Sequence, residues 1–136
     1  AMRAFLYGNP ELARRKTFET AKVMRAVGAT FALSPMIDLI RQLIGHDRRI
    51  YGEDSYLTAA MGAAFVEGLQ GCDWRTGVAA CTKHFLGYGG GSRVPWKEIY
   101  EEVLFPHEVA FRHAGCKVTM TSYGRFRSEM EYVAIR

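Results

Sequence analysis

Helix signals and short apolar runs alternate along this chain, and this alternation limits the folds open to it. A first helix is predicted to begin at Pro10, because Asn9 is a suitable N-cap and proline fits the first helical position. Gly28 is a suitable C-terminal stop for that helix. The short apolar run 29–33 that follows is typical of a strand covered on both faces, as in a parallel sheet.

The same pair of elements is predicted twice more. A second helix is expected to begin with Ser55 as its cap, and residues 77–82 are expected to form a second buried strand. A third helix is predicted over 96–113, with Pro106 as a kink or break inside it, before a third strand at 117–121. Alternation of this kind favours right-handed βαβ units and a parallel sheet, so the fold class is α/β.

Two α/β architectures fit this order of elements, an open doubly wound sheet and a closed (β/α)₈ barrel. A full barrel needs about 250 residues. This chain has 136 residues and shows neither an internal repeat nor an interdomain linker. We therefore expect a single domain, which would be about half of a barrel if the barrel is the correct architecture.

Composition excludes several classes of protein. Hydrophobic residues make up 49% of the chain and charged residues 24%, which is typical of a globular domain. No apolar run approaches the roughly 18–20 residues that cross a bilayer, so no membrane partner is expected. The net charge is +4, but the basic residues form small clusters interleaved with acidic ones, which argues against a nucleic-acid partner. The three cysteines and four histidines show no ligand spacing, so neither a metal nor another cofactor is expected.

Polar side chains follow the predicted strands at the points where those strands end. Asp38 follows the first strand, the adjacent Lys83 and His84 follow the second, and Tyr123 follows the third. Ligands of parallel α/β folds bind beyond the carboxyl ends of the strands, so these groups would converge at one rim. Amine, imidazole and carboxylate groups suit a ligand rich in hydroxyl groups. Two structural roles remain open for Asp38, a loop cap or an ion pair with Arg41.

Five short motifs occur in a fixed order along most of the chain. They are FALSPMID at 31–38, YGEDSYL at 51–57, GLQG at 68–71, KHFLGYG at 83–89 and TMTSY at 119–123. Together they resemble motifs of glycoside hydrolase family 3, the β-glucosidases and related exo-acting enzymes of carbohydrate metabolism. The resemblance implies that 1–136 is one partial (β/α)₈ TIM-type barrel domain that binds a terminal sugar in a pocket.

The resemblance also implies roles for individual residues. Lys83 and His84 match a pair that contacts hydroxyl groups of the sugar at the non-reducing end. Arg93 matches an arginine of the following loop that often joins this pair. Tyr123 matches a tyrosine near the nucleophile, and Asp38 matches an aspartate close to the pocket. All of these are candidate substrate-binding residues, and the implied partner is a β-glucoside or an oligosaccharide.

The chain departs from the family pattern in ways that bear on catalysis. His46 stands where a sugar-binding arginine is expected. The family nucleophile is an aspartate in a Ser-Asp motif, and no Ser-Asp pair occurs in this sequence. We therefore expect the chain to supply the sugar-binding part of a β-glucosidase-like enzyme and to be inactive alone. The alternative is a non-catalytic, degenerate homologue that binds a sugar or a protein.

The predicted fragment also has consequences for assembly and location. Half a barrel exposes sheet edges and an apolar face, so we expect self-association or docking of the remainder of the barrel. The unpaired cysteines do not decide between the cytoplasm and the periplasm.

Overall fold

The computed structural model describes residues 8–39, 49–88 and 94–123. The predicted site residues His46 and Arg93 lie outside these ranges. The elements in chain order are α1 (Pro10–Ala26), β1 (Phe31–Ala32), α2 (Ser55–Gln70), β2 (Ala79–Phe85), α3 (Trp96–Glu98), a π-helical turn (Ile99–Val103), α4 (Phe105–Arg112) and β3 (Val118–Thr121). None of the helices in the described ranges is long and apolar enough to cross a membrane.

The three strands form one parallel sheet in the order β1-β2-β3. Phe31 pairs with Ala79 at the start of the first ladder, and Cys81 pairs with Val118 at the start of the second. The second ladder is irregular between Lys83 and the end of β2. The predicted α/β class with parallel strands is therefore confirmed, and β2 is the central strand of the described sheet.

Local capping explains why α1 begins where it was predicted. The Asn9 side chain accepts a hydrogen bond from the Leu12 amide at 3.2 Å, and Pro10 is the first helical residue. Thr17 and Ala21 are among the residues that α1 buries. These positions recur at helical spacing, so one stripe of the helix packs inward.

The cap of α2 differs from the prediction by one residue. The helix begins at Ser55, but the cap is Asp54, whose carboxylate accepts from the Leu57 amide at 2.5 Å. Ser55 is already helical, so the side chain one position earlier reaches the unpaired N–H groups of the first turn. Gly71 ends the helix with a φ of 61°, a left-handed value that glycine adopts readily.

Glycines let α2 approach its neighbours closely. A Cβ atom at Gly68 would collide with the Thr17 hydroxyl and with the main-chain carbonyl of Arg14 on α1. A Cβ atom at Gly62 would lie 2.7 Å from the side chain of Ile37. Ile37 is buried in the same core, so this contact also holds the segment after β1 against the helical layer.

The third predicted helix is divided into three parts. The Leu104 amide bonds to the Ile99 carbonyl at 2.8 Å, which is the wider spacing of a π turn. Pro106 then lies in the first turn of α4, where its missing N–H leaves no hydrogen bond unmade. The predicted break at the proline is confirmed.

The first strand is shorter and less covered than predicted. The ladder includes Phe31–Ala32 rather than all of 29–33. Phe31 is 44% exposed and Leu33 is 52% exposed, so the prediction of a strand buried on both faces is wrong for the described chain. The physical reason is that β1 lies at the edge of the described sheet.

Candidate functional site

The candidate site forms around the carboxyl end of β2. The strand runs to Phe85, so Lys83 and His84 are among its last residues and do not follow it as predicted. The Lys83 amide donates to the Pro35 carbonyl at 3.0 Å, and the Lys83 carbonyl accepts from the Ile37 amide at 2.9 Å. The chain after β1 therefore runs beside β2 as far as Lys83. The peptide bonds Ser34–Pro35, Lys83–His84 and Phe85–Leu86 are cis.

This pairing places Asp38 against His84, 46 positions away in sequence. One carboxylate oxygen, Oδ2, accepts the His84 main-chain N–H at 2.9 Å and lies 3.0 Å from the imidazole Nδ1. Asp38 is only 4% exposed. Burial raises the pKa of the Asp38 carboxyl, and the hydrogen bonds from His84 oppose that rise. The structure therefore assigns Asp38 a partner on the neighbouring strand.

The carboxylate orients the imidazole of His84. When the Asp38 carboxylate is ionised it only accepts hydrogen bonds, and the Nδ1 that faces it then carries the proton. The other ring nitrogen, Nε2, is left to meet a ligand. The Tyr88 ring stacks against the His84 ring, with ring centroids 4.4 Å apart and planes 23° apart. The imidazole is thus held by a hydrogen bond at its edge and by an aromatic ring on its face.

A buried histidine lies behind the site. The His107 ring, on α4, meets the ring of Phe85 edge to face, with centroids 5.2 Å apart. His107 is 1% exposed, and its buried Nδ1 has no hydrogen-bond partner within the described part of the chain. Burial is the main cause that lowers the pKa of His107 to about 3, and the electrostatic interaction with His84 acts in the same direction. His107 is therefore neutral at physiological pH, and its ring packs against the ring of Phe85.

The end of β3 lies beside the end of β2. The Ser122 amide donates to the Phe85 carbonyl at 2.6 Å. Tyr123 follows at the same edge of the sheet, and its side chain is fully exposed. The structure therefore brings Asp38, Lys83 and His84 together and places Tyr123 at the same end of the sheet with its ring in solvent.

Sequence reasoning missed the roles of Tyr88 and His107. Tyr88 lies four positions after His84 in the same short motif, and that proximity is a signal that could have identified it. His107 gave no local signal, because its contact with Phe85 depends on how α4 packs on the sheet.

The described residues were also considered as metal ligands and as a reactive thiol. The described ranges contain no group of three or more His, Cys, Asp or Glu residues able to hold a metal ion. Cys81 is buried in β2, and burial raises the pKa of its thiol, which disfavours the reactive thiolate. The site instead presents an amine and an oriented imidazole.

Comparisons with known proteins identify the same family that the motifs indicate. The model of the glycosyl hydrolase family 3 N-terminal domain matches residues 5–129. A β-xylosidase of Formosa agariphila is 36% identical over 131 residues, and a β-glucosidase of Rhizobium radiobacter is 33% identical over 125 residues. Each alignment covers 86% of this chain, but only 18% and 15% of the two relatives.

Solved structures show the same fold. The β-glucosidase of Listeria innocua matches with a TM-score of 0.83 at 28% identity, covering 93% of this chain and 19% of its own. A β-glucosidase of Erythrobacter marinus matches with a TM-score of 0.81 at 30% identity, covering 90% and 18%. This chain thus spans less than a fifth of the length of these relatives.

The alternating helices and parallel strands are therefore part of a TIM-type (β/α)₈ barrel, the second of the two architectures that the sequence left open. The homologues are glycoside hydrolases. The chain belongs to glycosyl hydrolase family 3, within the N-terminal domain of that family.

Proposed function

We propose that this chain supplies the sugar-binding part of an enzyme that hydrolyses terminal β-D-glucosidic bonds. The observation that carries the proposal is the pair Lys83–His84 at the end of β2, with the imidazole of His84 held by Asp38 at 3.0 Å. Both side chains lie at the carboxyl end of a parallel sheet, where barrel enzymes bind their substrates.

The chemistry of the pair suits a sugar ring. A lysine ammonium donates up to three hydrogen bonds, and an imidazole with its Nδ1 proton committed to Asp38 offers Nε2 to a hydroxyl group. Neighbouring sugar hydroxyls can both donate and accept, so they suit a site that offers one donor and one acceptor. Fixing the imidazole in advance reduces the entropy lost when the ligand binds.

Relatives support glucose as the terminal unit. The β-glucosidase of Listeria innocua, 30% identical to this chain in these structures, has been solved with glucose and, as a mutant, with laminaribiose. Another relative is named a β-xylosidase. Xylose lacks the hydroxymethyl group of glucose, so comparing the two sugars at this site tests the preference.

We propose further that the chain alone does not cleave glycosides. A retaining glycosidase needs two carboxyl groups about 5–5.5 Å apart. Asp38 is buried and bonded to His84, and the sequence has no Ser-Asp pair to provide the nucleophile that the resemblance implies. Residues 1–136 would then be one partial barrel domain, completed by the remainder of the barrel or by self-association.

A second candidate function is binding without catalysis by a degenerate homologue. The replacement of an expected arginine by His46 favours it. Such a homologue would bind a sugar or a protein, and a sugar-binding homologue would use the same site as the enzyme, so the sugar-binding test comes first.

The test is titration calorimetry of glucose and xylose into the full chain and into K83A. Loss of a charge-assisted hydrogen-bond donor should weaken glucose binding about tenfold or more. K117A removes an exposed lysine outside the site and is the matched control. Equal glucose affinities for K83A and the unmodified chain would refute the proposed site. Turnover of an aryl β-glucoside by the chain would refute the proposed inactivity.

A further inference from the structure

Two aromatic rings stack on each other at the start of the helical segment that follows β2. Trp96 in α3 and Tyr100 in the π turn have ring centroids 5.9 Å apart and planes 27° apart. Trp96 is 37% exposed and Tyr100 is 56% exposed. Large rings normally gain stability by burial, so this partly exposed pair presents aromatic surface to solvent, together with the indole N–H and the phenol O–H.

The fold connects the helical segment of this aromatic pair to the end of the strand that carries the sugar site. Ile99, between the two rings in sequence, is buried in a cluster with Leu86 and Val103. Phe85 packs against the same cluster and directly follows His84 in the chain. The helical segment that carries the aromatic pair is therefore anchored to the end of β2. In a βα unit the helix starts at the carboxyl end of the preceding strand, so the rings and His84 share one end of the fold.

We propose that Trp96 and Tyr100 form a second carbohydrate-binding surface, which holds further sugar units of an oligosaccharide whose terminal unit lies at Lys83 and His84. The proposal rests on the proposed function for the position of that terminal unit. A pyranose ring has a face of C–H groups and a rim of hydroxyl groups. The exposed aromatic surface of the pair can pack against the face, and the indole N–H and the phenol O–H can bond to the rim.

The surroundings favour a sugar over a protein partner. Lys97 and Glu101, each next to one of the two rings in sequence, are exposed and charged. Charged residues are depleted at the centres of protein–protein interfaces, which also extend well beyond two side chains. A small aromatic surface with charged, hydrogen-bonding neighbours suits a ligand the size of a sugar ring.

The chain contains two tryptophans, and this allows a direct test. W74F leaves Trp96 as the sole indole, whose fluorescence is followed while glucose and laminarin oligosaccharides of two to four units are added to the full chain. We expect a saturable change with the oligosaccharides that is larger than the change with glucose. Adding Y100A to W74F should reduce that change.

Calorimetry then measures the ratio of tetrasaccharide affinity to glucose affinity. W96A should lower this ratio about two- to tenfold, the range of aromatic stacking contributions. W96F should restore most of it, because a phenyl ring also stacks, and circular dichroism checks that each variant folds. W74A removes the other exposed tryptophan and should leave the ratio unchanged.

The outcomes separate the two proposals. An unchanged ratio in W96A, with glucose binding that depends on Lys83, overturns the second surface and leaves the sugar site. A saturable Trp96 response to oligosaccharides without any glucose binding supports the second surface and overturns the first site. The absence of both signals overturns both.

Discussion

The buried His107 makes the stability of this protein depend on pH. Burial lowers its pKa to about 3, against a value of 6.5 for a solvated histidine. Because the folded state takes up the proton at lower pH than the unfolded state, the contribution to stability is complete above about pH 6.5 and is lost as pH falls towards 3. Between pH 7 and 4.5 the loss is about 2–3 kcal/mol, since each pKa unit corresponds to about 1.4 kcal/mol.

Replacing His107 with phenylalanine should remove this dependence. Phenylalanine cannot be protonated, keeps an aromatic ring against Phe85, and leaves no unpaired Nδ1 in the core. Urea unfolding at pH 7 and at pH 4.5 measures the free energy of unfolding of the full chain and of H107F. The chain should lose about 2–3 kcal/mol more than the variant when the pH is lowered. Asp38 titrates in both proteins, so its contribution cancels in the comparison.

Two further variants of this chain serve as controls for the measurement. H107L removes the titrating group with a smaller side chain, in case the phenyl ring overpacks the site. H113A removes an exposed histidine of the same helical region and should behave like the unmodified chain. Equal losses between pH 7 and pH 4.5 in the chain and in both His107 variants would refute the assignment of a buried, neutral imidazole.

Three other predictions concern packing, the site and thiol reactivity. G68A should destabilise the chain by about 1–3 kcal/mol, because the new methyl group meets the Arg14 carbonyl; an unchanged urea midpoint would contradict the close helix crossing. D38A should weaken glucose binding more than D38N, because asparagine can still accept from the two His84 donors at one oxygen; equal binding by D38A and D38N would argue against this role. In the folded chain a thiol reagent should modify Cys72 and spare the two buried cysteines, and mass spectrometry of labelled peptides would reveal any other pattern.

Local chemistry made part of the site predictable. Lys83 and His84 are adjacent and follow a buried apolar run, so their position near a strand end could be inferred from neighbouring residues alone. The strand itself proved longer, reaching Phe85, because hydrogen bonds from the segment after β1 and from β3 extend the ladder. Those hydrogen-bonding partners of β2 are remote in sequence, so no local sequence pattern indicates them.

The partner of Asp38 shows the same limit. From the sequence it could be a loop cap, a partner of Arg41 or a pocket residue, and each role is chemically reasonable. The structure selects His84, because parallel pairing at Lys83 brings the two segments side by side. Only the register of that pairing decides which side chain the carboxylate meets.

The amino-acid sequence alone determined the alternation of helices and strands, the start of α1 at Asn9–Pro10 and the break at Pro106. These features depend on groups within a few residues of one another, such as cap side chains and missing amide protons. The tertiary structure decided how Asp38 and Tyr88 hold the imidazole of His84, and that His107 stays buried in its neutral form. Those properties depend on segments brought together by packing, where burial and long-range contacts set orientation and charge.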